Sequence, residues 1–363
     1  MTAWPAAQTA ALASFGGVSE AVPPPSAPRA VVVGIDVGGT KTNATVIDEA
    51  GTILVDHMVE APSCVTDGPD SAVAAIEAVM LLALDVAGVT RAAVRAVGLD
   101  TPGPATADGV LSQRGATNFA LPAWWGFDIR AAAEARLRLP VIYNNDANAA
   151  ALYAHQRYFG ADAPWRSSVS AIVGTGLGGG VVQSGRVVKG ATGMAGELGH
   201  VHLPLGDILE PDQPAPRCNC GFSGDAESVA SLTGITNNLL PYWLTRYPDH
   251  PLAGLPIAEA AKTVRSFGER GDEMALRIFA QQADAIGRLF TIAANFTDPH
   301  AYFVGGGVTE AEAHFRDWFL DRVIGATALR EEQASSATFA IVADLDMAGA
   351  RGSAIAALHA IRP

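Results

Sequence analysis

Tyr143-Asn144-Asn145-Asp146-Ala147-Asn148-Ala149-Ala150 is the stretch on which the reading of this chain turns. Leu139, Val141 and Ile142 before it read as the end of a short buried strand. Residues 149–155 after it read as helix, with no Gly or Pro until Gly160. Asp146 therefore falls at a strand-to-helix junction, where a carboxylate can be held at the mouth of a cleft. An Asp in such a place is more often a helix cap or turn residue than a base, so its context has to raise it. That context is a glycine-rich turn on each side: Gly38-Gly39-Thr40 upstream and Gly174-Thr175-Gly176-Leu177-Gly178-Gly179-Gly180 downstream. A carboxylate between two anion-cradling turns suggests phosphoryl transfer to a hydroxyl, which needs a group to orient and accept the hydroxyl proton.

Upstream, Val31-Val32-Val33-Gly34-Ile35 is a continuous apolar run typical of a buried strand. It opens a β-meander through Asp36-x-Gly38-Gly39-Thr40-Lys41 into predicted strands over residues 42–47 and 52–59. Residues 71–86 read as helix, 94–99 as a strand ending in Asp100-Thr101-Pro102-Gly103-Pro104, and 129–137 as helix. Asn118, Trp124, Trp125 and Phe127 fall in the loop between. Downstream, residues 168–173 form another apolar strand, followed by the second glycine turn and returning strands at 181–183 and 187–188. A long helix over 275–297, a strand over 301–304 ending in Gly305-Gly306-Gly307, a strand over 339–342 and a helix over 349–361 complete the chain. The last helix has an apolar face that could pack back on the first half. Alternating strands and helices give an α/β fold. The repeated strand–glycine–strand unit points to a duplicated architecture with a nucleotide held between halves.

A length of 363 residues with 49% hydrophobic content predicts two domains with sizeable cores. A formal net charge of -13 argues against nucleic-acid binding, which rests on Lys and Arg neutralising phosphates. Three cysteines, two of them as Cys218-x-Cys220, are too few for a disulfide framework and favour a reducing, cytoplasmic setting. No apolar run reaches the roughly 18 residues of a membrane span. Residues 1–28 are Ala-, Pro- and Ser-rich and lack Lys and Arg, so they read as a flexible tail and not as a secretory signal.

Gly174-x-Gly176-x-x-Gly179 matches the dinucleotide fingerprint to the letter, but that fingerprint needs a following helix and Val181-Val182-Gln183 reads as strand. There is no P-loop motif either. Glycine turns can still present successive backbone N–H groups to an anion, or they can be tight turns and nothing more. Asn145 offers an amide to a sugar hydroxyl, and Glu197, His200 and Glu227 are polar groups suited to the edge of a polyol. His200, Cys218 and Cys220, with Asp225 as a fourth oxygen ligand, suggest a zinc site; two reduced surface thiols are the plain alternative.

With these residues in view, the chain resembles the ROK family of sugar kinases, within the actin-like/hexokinase superfamily. The resemblance runs from about Val31 to Ala357. It is carried by Asp36-x-Gly38-Gly39-Thr40-Lys41, Pro102-Gly103-Pro104, Asn145-Asp146-x-Asn148-Ala149, the Gly174–Gly180 run, Gly196-Glu197-x-Gly199-His200, Cys218-x-Cys220-Gly221-x-x-Gly224 and Gly305-Gly306-Gly307. It implies a two-domain actin-like ATPase (ribonuclease H-like) fold with an inter-domain cleft. The expected division is a tail over 1–28, a small domain over 29–145 plus 345–363, and a large domain over 146–344. It also implies phosphorylation of a hexose such as glucose by ATP with magnesium, usually at the 6-hydroxyl. By position, Asp146 would be the general base, and Asn118, Asn145, Glu197, His200 and Glu227 would hold the sugar. Asp36, Gly38, Gly39, Thr40 and Lys41 would line the first phosphate turn, Thr175 and Gly176 the second, and Gly306 would lie near the adenosine. His200, Cys218 and Cys220 carry over as zinc ligands, and the family's third Cys is Asp225 here. A homodimer is expected on the same ground. The family also holds sugar-sensing repressors, whose helix-turn-helix domain residues 1–28 are too short to supply. A non-catalytic sugar binder would be expected to lack the base or a phosphate turn, and both are present.

Overall fold

Every residue of the strand β1 (Val31–Val37) except Asp36 is buried, and alternate side chains go to opposite helices. Val31, Val33, Ile35 and Val37 pack under α1 (Pro69–Val86) through Ala72, Ile76, Val79 and Met80. Val32 faces the last helix, α10 (Ala348–Ile361), through Ala354, Ala357 and Leu358. A strand covered on both faces has no polar side to show, which is why its sequence is an unbroken apolar run. The computed structural model describes residues 30–113, 118–342 and 345–362; the tail predicted over 1–28 lies outside the described residues.

β1 is the centre of a five-stranded sheet. It pairs antiparallel with β2 (Lys41–Asp48), which pairs antiparallel with β3 (Val59–Pro62). On its other edge it pairs parallel with β4 (Val94–Thr101), which pairs parallel with β5 (Val141–Asn145). The second sheet repeats this plan strand for strand. β6 (Ser168–Val173) takes the place of β1, antiparallel to β7 (Leu177–Gln183) and through it to β8 (Arg186–Val187). On the parallel side lie β9 (Ala301–Gly306) and β10 (Thr338–Val342). The duplication read from two glycine turns is thus a duplication of whole sheets. Helices α1 and α2 (Ile129–Leu137) cover the first sheet. The second is covered by a larger set. α4 (Leu232–Gly234) runs through a π-helical turn into α5 (Leu240–Arg246), and α6 (Ile257–Glu269), α7 (Glu273–Thr297), α8 (Ala313–Ala326) and the short α9 (Glu331–Ala334) follow.

The strand predicted over residues 52–59 is not a strand. Only an isolated Ile47–Ile53 bridge forms there, and the third strand starts at Val59. The Asp48 carboxylate accepts from the Ala50 and Thr52 N–H groups, making a turn, and exposed Asp56 and His57 face each other before any ladder can build. The glycine run at 174–180 is also divided in a way the sequence does not reveal. The turn is Gly174-Thr175-Gly176, while Gly178, Gly179 and Gly180 belong to β7.

Those strand glycines admit a helix. The helix α3 (Asp146–Phe159) follows β5 directly but leaves the first sheet and packs on β7. A Cβ on Gly180 would stand 2.4 Å from the Ala151 Cβ. Helix α10 makes the reverse crossing from β10 to the first sheet, where a Cβ on Gly34 would lie 1.8 Å from the Ala350 carbonyl oxygen. The two helices also pack on each other, at Gly352 over the Ala149 carbonyl. Each half therefore has one face closed by the helix that follows the other half. Among the described residues, no helix is long and apolar enough to cross a membrane.

Candidate active site

The cleft between the two sheets has a volume of about 1150 Å³ and is reached by both glycine turns. A pocket for one small molecule is roughly 300–1,000 Å³, so the space suits two ligands side by side. Its lining includes Asp36 and Gly38 from the β1–β2 turn, Gly174, Thr175 and Gly176 from the β6–β7 turn, and Asn118, Asn145, Asp146, Glu197, His200 and Glu227. The residues expected around a sugar are thus brought together from four separate segments.

Asn145 and Asp146 divide the two roles that an acid at a strand end could have filled. Asn145 is the cap of α3, its Oδ1 accepting from the Ala147 and Asn148 N–H groups at 3.0 and 3.3 Å. Asp146 is the first residue of the helix, and its Oδ1 accepts from the Ala147 N–H at 2.7 Å. Burial pushes the Asp146 carboxyl up to about 6, and the charges of Asp36 and Glu197 add to the rise, against the lowering effect of its backbone hydrogen bonds. A carboxylate in that range is ionised at neutral pH yet basic enough to take a proton.

Glu197 caps and His200 ends a 3-10 turn, Leu198–His200, and burial raises Glu197 as well. Glu227 is fixed from two sides. Its Oε2 accepts from the Leu177 N–H at 3.0 Å and packs against Gly176, and its Oε1 accepts from the Cys218 thiol at 3.3 Å. The second glycine turn is further tied by Thr233, whose hydroxyl donates to the Thr175 carbonyl at 2.7 Å. Asn118 packs on Gly39, which has no Cβ to block it. Lys41 points away, its ammonium held by Glu60 on β3. Gly39, Thr40 and Gly306 do not line this cleft. Gly306 takes a φ of +85° and packs on the Val173 backbone, next to Gly307 at the rim of a second, largely apolar pocket of about 280 Å³.

His200, Cys218, Cys220 and Asp225 converge, with one ligand atom from each lying within 4.8 Å of all the others. The His200 Nδ1 is 3.1 Å from the Asp225 Oδ2, and the Cys220 thiol donates to the same oxygen at 3.5 Å. Asp225 is fully buried, and its Oδ1 accepts from the Ser228 N–H at 2.9 Å. Because His200 meets the cluster through Nδ1, its other ring nitrogen is left for the cleft that His200 lines.

Three residues at this site were not singled out by sequence. Thr233 is one. Asp100, in register with Asp36 on the neighbouring strand, is another. Gly349 is the third: a Cβ there would stand 2.8 Å from the Asp36 carboxylate and 3.1 Å from that of Asp100. Only the Asp100-x-Pro-Gly-Pro turn carried a local signal, and it signalled a turn, not an acid.

Comparison with known proteins agrees with this fold. The ROK family model matches residues 32–360. A glucokinase of Halalkalibacterium halodurans is 32% identical over 314 residues, covering 82% of this chain and 89% of that protein. Among solved structures, a ROK hexokinase from Thermus thermophilus aligns with a TM-score of 0.70 at 29% identity, covering 91% of this chain and 99% of that one. A ROK family glucokinase from Streptomyces griseus, in complex with glucose and AMPPNP, aligns with a TM-score of 0.64 at 28% identity over the same shares. The chain belongs to the ROK family.

Proposed function

We propose that this ROK-family chain is an ATP-dependent sugar kinase that phosphorylates a hexose, at the 6-hydroxyl, with Asp146 as the general base. Kinship to a glucokinase and to a glucokinase solved with glucose and a nucleotide analogue supports the kinase reading. The observation that carries it to the residues is the pairing of a basic, half-buried carboxylate with a glycine turn across one cleft. In the reaction the hexose hydroxyl oxygen attacks the γ-phosphorus while its proton passes to the Asp146 carboxylate. The bond between the γ-phosphorus and the β,γ-bridging oxygen breaks, and ADP leaves with that electron pair. Magnesium enters with ATP as part of the substrate.

Asn118, Asn145, Glu197, His200 and Glu227 would hold the sugar, and the Gly38 and Gly174–Gly176 turns would receive the phosphates through backbone N–H groups. Closure of residues 29–145 with 345–363 against 146–344 would exclude water that could take the phosphoryl group in place of the sugar. A coupled ADP-release assay over a panel of hexoses and hexosamines tests the reading. Turnover on one of them supports it. Silence on all, with some sugars raising the melting temperature, would make the protein a binder or sensor on a kinase fold.

The His200–Cys218–Cys220–Asp225 cluster fits a structural zinc ion, with two sulfurs, one nitrogen and one oxygen at mutual distances close enough for a single tetrahedral ion. Zinc there would fix the Pro-rich segment between His200 and Cys218 and hold His200 in place; Cys218 would bind as a thiolate, leaving Glu227 anchored by the Leu177 N–H. Metal analysis of the purified protein and of Cys220→Ser checks this; a metal-free wild type with full activity would remove the ion.

A further inference from the structure

We propose that Asp36 and Asp100 form a single acid pair sharing one proton, with Asp100 as the neutral partner that holds the Asp36 carboxylate in position at the cleft. The two residues stand opposite each other on β1 and β4, in the register Asp36–Asp100, and both carboxyl groups crowd one point: a Cβ on Gly349 would stand 2.8 Å from Asp36 Oδ2 and 3.1 Å from Asp100 Oδ1. A hydrogen bond between two carboxyl groups requires a proton, because two carboxylates offer only acceptors. The rest of the surroundings places that proton on Asp100. Asp100 is 0% exposed, and its Oδ2 accepts from the Ser353 hydroxyl of α10 at 2.7 Å. Its Oδ1 is buried with no donor to serve it, the expected state of an oxygen that itself carries the hydrogen. Asp36, by contrast, lines the cleft and accepts from the Asn43 amide at 3.0 Å.

No other charge resolves the pair differently. Asp146, at the start of α3, adds negative potential, Tyr143 of β5 lies near Asp100 as a phenol that burial keeps neutral, and β2 and α10 contribute Asn43 and Ser353. Among the described residues no Lys, Arg or His makes an ion pair with either acid. Burial and the Asp36 charge both lift Asp100 far above the usual carboxylate range, and burial lifts Asp36 as well. The N-terminus of α10 lies there too, and its partial positive charge favours the one negative charge that remains.

The consequence is a positioning role. Asp36 faces the cleft beside the first phosphate turn, and a donor from behind fixes which way its carboxylate points. Asp100→Asn keeps a donor in place of the shared proton, whereas Asp100→Ala removes it. The expected result is that Asp100→Asn stays within about twofold of wild type in kcat and in KM for Mg-ATP, while Asp100→Ala raises KM for Mg-ATP about tenfold and leaves KM for sugar unchanged.

Two readouts hold without any turnover and so stand apart from the kinase reading. The infrared carbonyl band of a protonated carboxyl group, found by comparing wild type with Asp100→Asn, should be present at pH 7 in the first and absent in the second. The melting temperature of Asp100→Asn relative to wild type should climb as pH rises from 4.5 to 8. The folded pair keeps its proton at a pH where the unfolded chain has released it, so the wild type pays a cost that the variant avoids. A flat difference in melting temperature, a missing infrared band, or equal kinetic damage in both variants would overturn the shared proton. So would magnesium alone raising the wild-type melting temperature but not that of Asp100→Asn, because the pair would then be a metal site.

Discussion

Helices α3 and α10 hold equivalent places in the duplicated plan: each follows the last strand of a sheet, crosses to the other sheet, and points its first turn into the cleft. They meet the cleft in opposite ways. α3 brings an acid in its own first turn, Asp146, and is capped by the Oδ1 of Asn145. α10 has no acid in its first turn and no side-chain cap; Gly349 instead makes room for the acids of β1 and β4. One helix start delivers an acid and the other receives two. A duplicated scaffold can therefore be asymmetric in chemistry through the residues of two helix first turns, an acid in one and a glycine in the other.

Substitution of Asp146 is the strongest way to break this contrast. Asp146→Asn should lower kcat at least about a hundredfold while leaving sugar binding measurable, as expected for loss of a general base. Steady-state kinetics with parallel calorimetry would show it, and near-normal turnover would take Asp146 out of its role. The pH profile tests the same group without mutation. Asp146 must be ionised to accept a proton, so kcat/KM should fall about tenfold for each pH unit below roughly 6.

Stability should move the other way. The folded Asp146 titrates near 6 and the unfolded near 3.8, so its protonated form favours folding below pH 4 and that help is lost as pH rises through 6. At pH 8, Asp146→Asn should accordingly be more stable than wild type by on the order of 1–3 kcal/mol in denaturant melts. Equal stability at pH 8 would mean the carboxylate carries no strain.

The receiving end gives smaller effects. Gly349→Ala would press a methyl group on the Asp36 and Asp100 carboxylates and should cost about 1–3 kcal/mol, although Ala is the better helix former. Gly325→Ala in α8, where a Cβ meets nothing within 4 Å, is the control and should stabilise by about 0.5–1 kcal/mol. If both glycines respond alike, the close approach at Gly349 has no energetic meaning.

Much of this was legible in the sequence, and the reason lies in local signals. The apolar run at Val31, the Asp36-x-Gly38-Gly39 hairpin and the strand-to-helix change at Asp146 each announce themselves within a dozen residues. The zinc-like cluster was legible because three of its four members fall within eight residues, Cys218 to Asp225. What stayed hidden depends on contacts between distant segments. Nothing around Asp100 says that it will be buried beside Asp36, because that follows from strand pairing. Gly178 and Gly180 read as part of an anion turn because a glycine that admits a helix is written like one that makes a bend. Lys41, in the middle of a strong motif, turns toward Glu60 because β3 happens to lie there.

The crossing of α3 and α10 has a consequence for how the molecule comes apart. Residues 30–145 alone would leave Val32, Ile47 and Ala96 bare, since the cover for that face is encoded at the far end of the chain. The remainder would carry α10 with its apolar face unmatched. The first fragment lacks its cover, and the second holds that cover on a helix that has lost the sheet it packs on. Denaturation should accordingly run as one concerted event, and the two fragments, mixed together, have the means to rebuild each other by complementation.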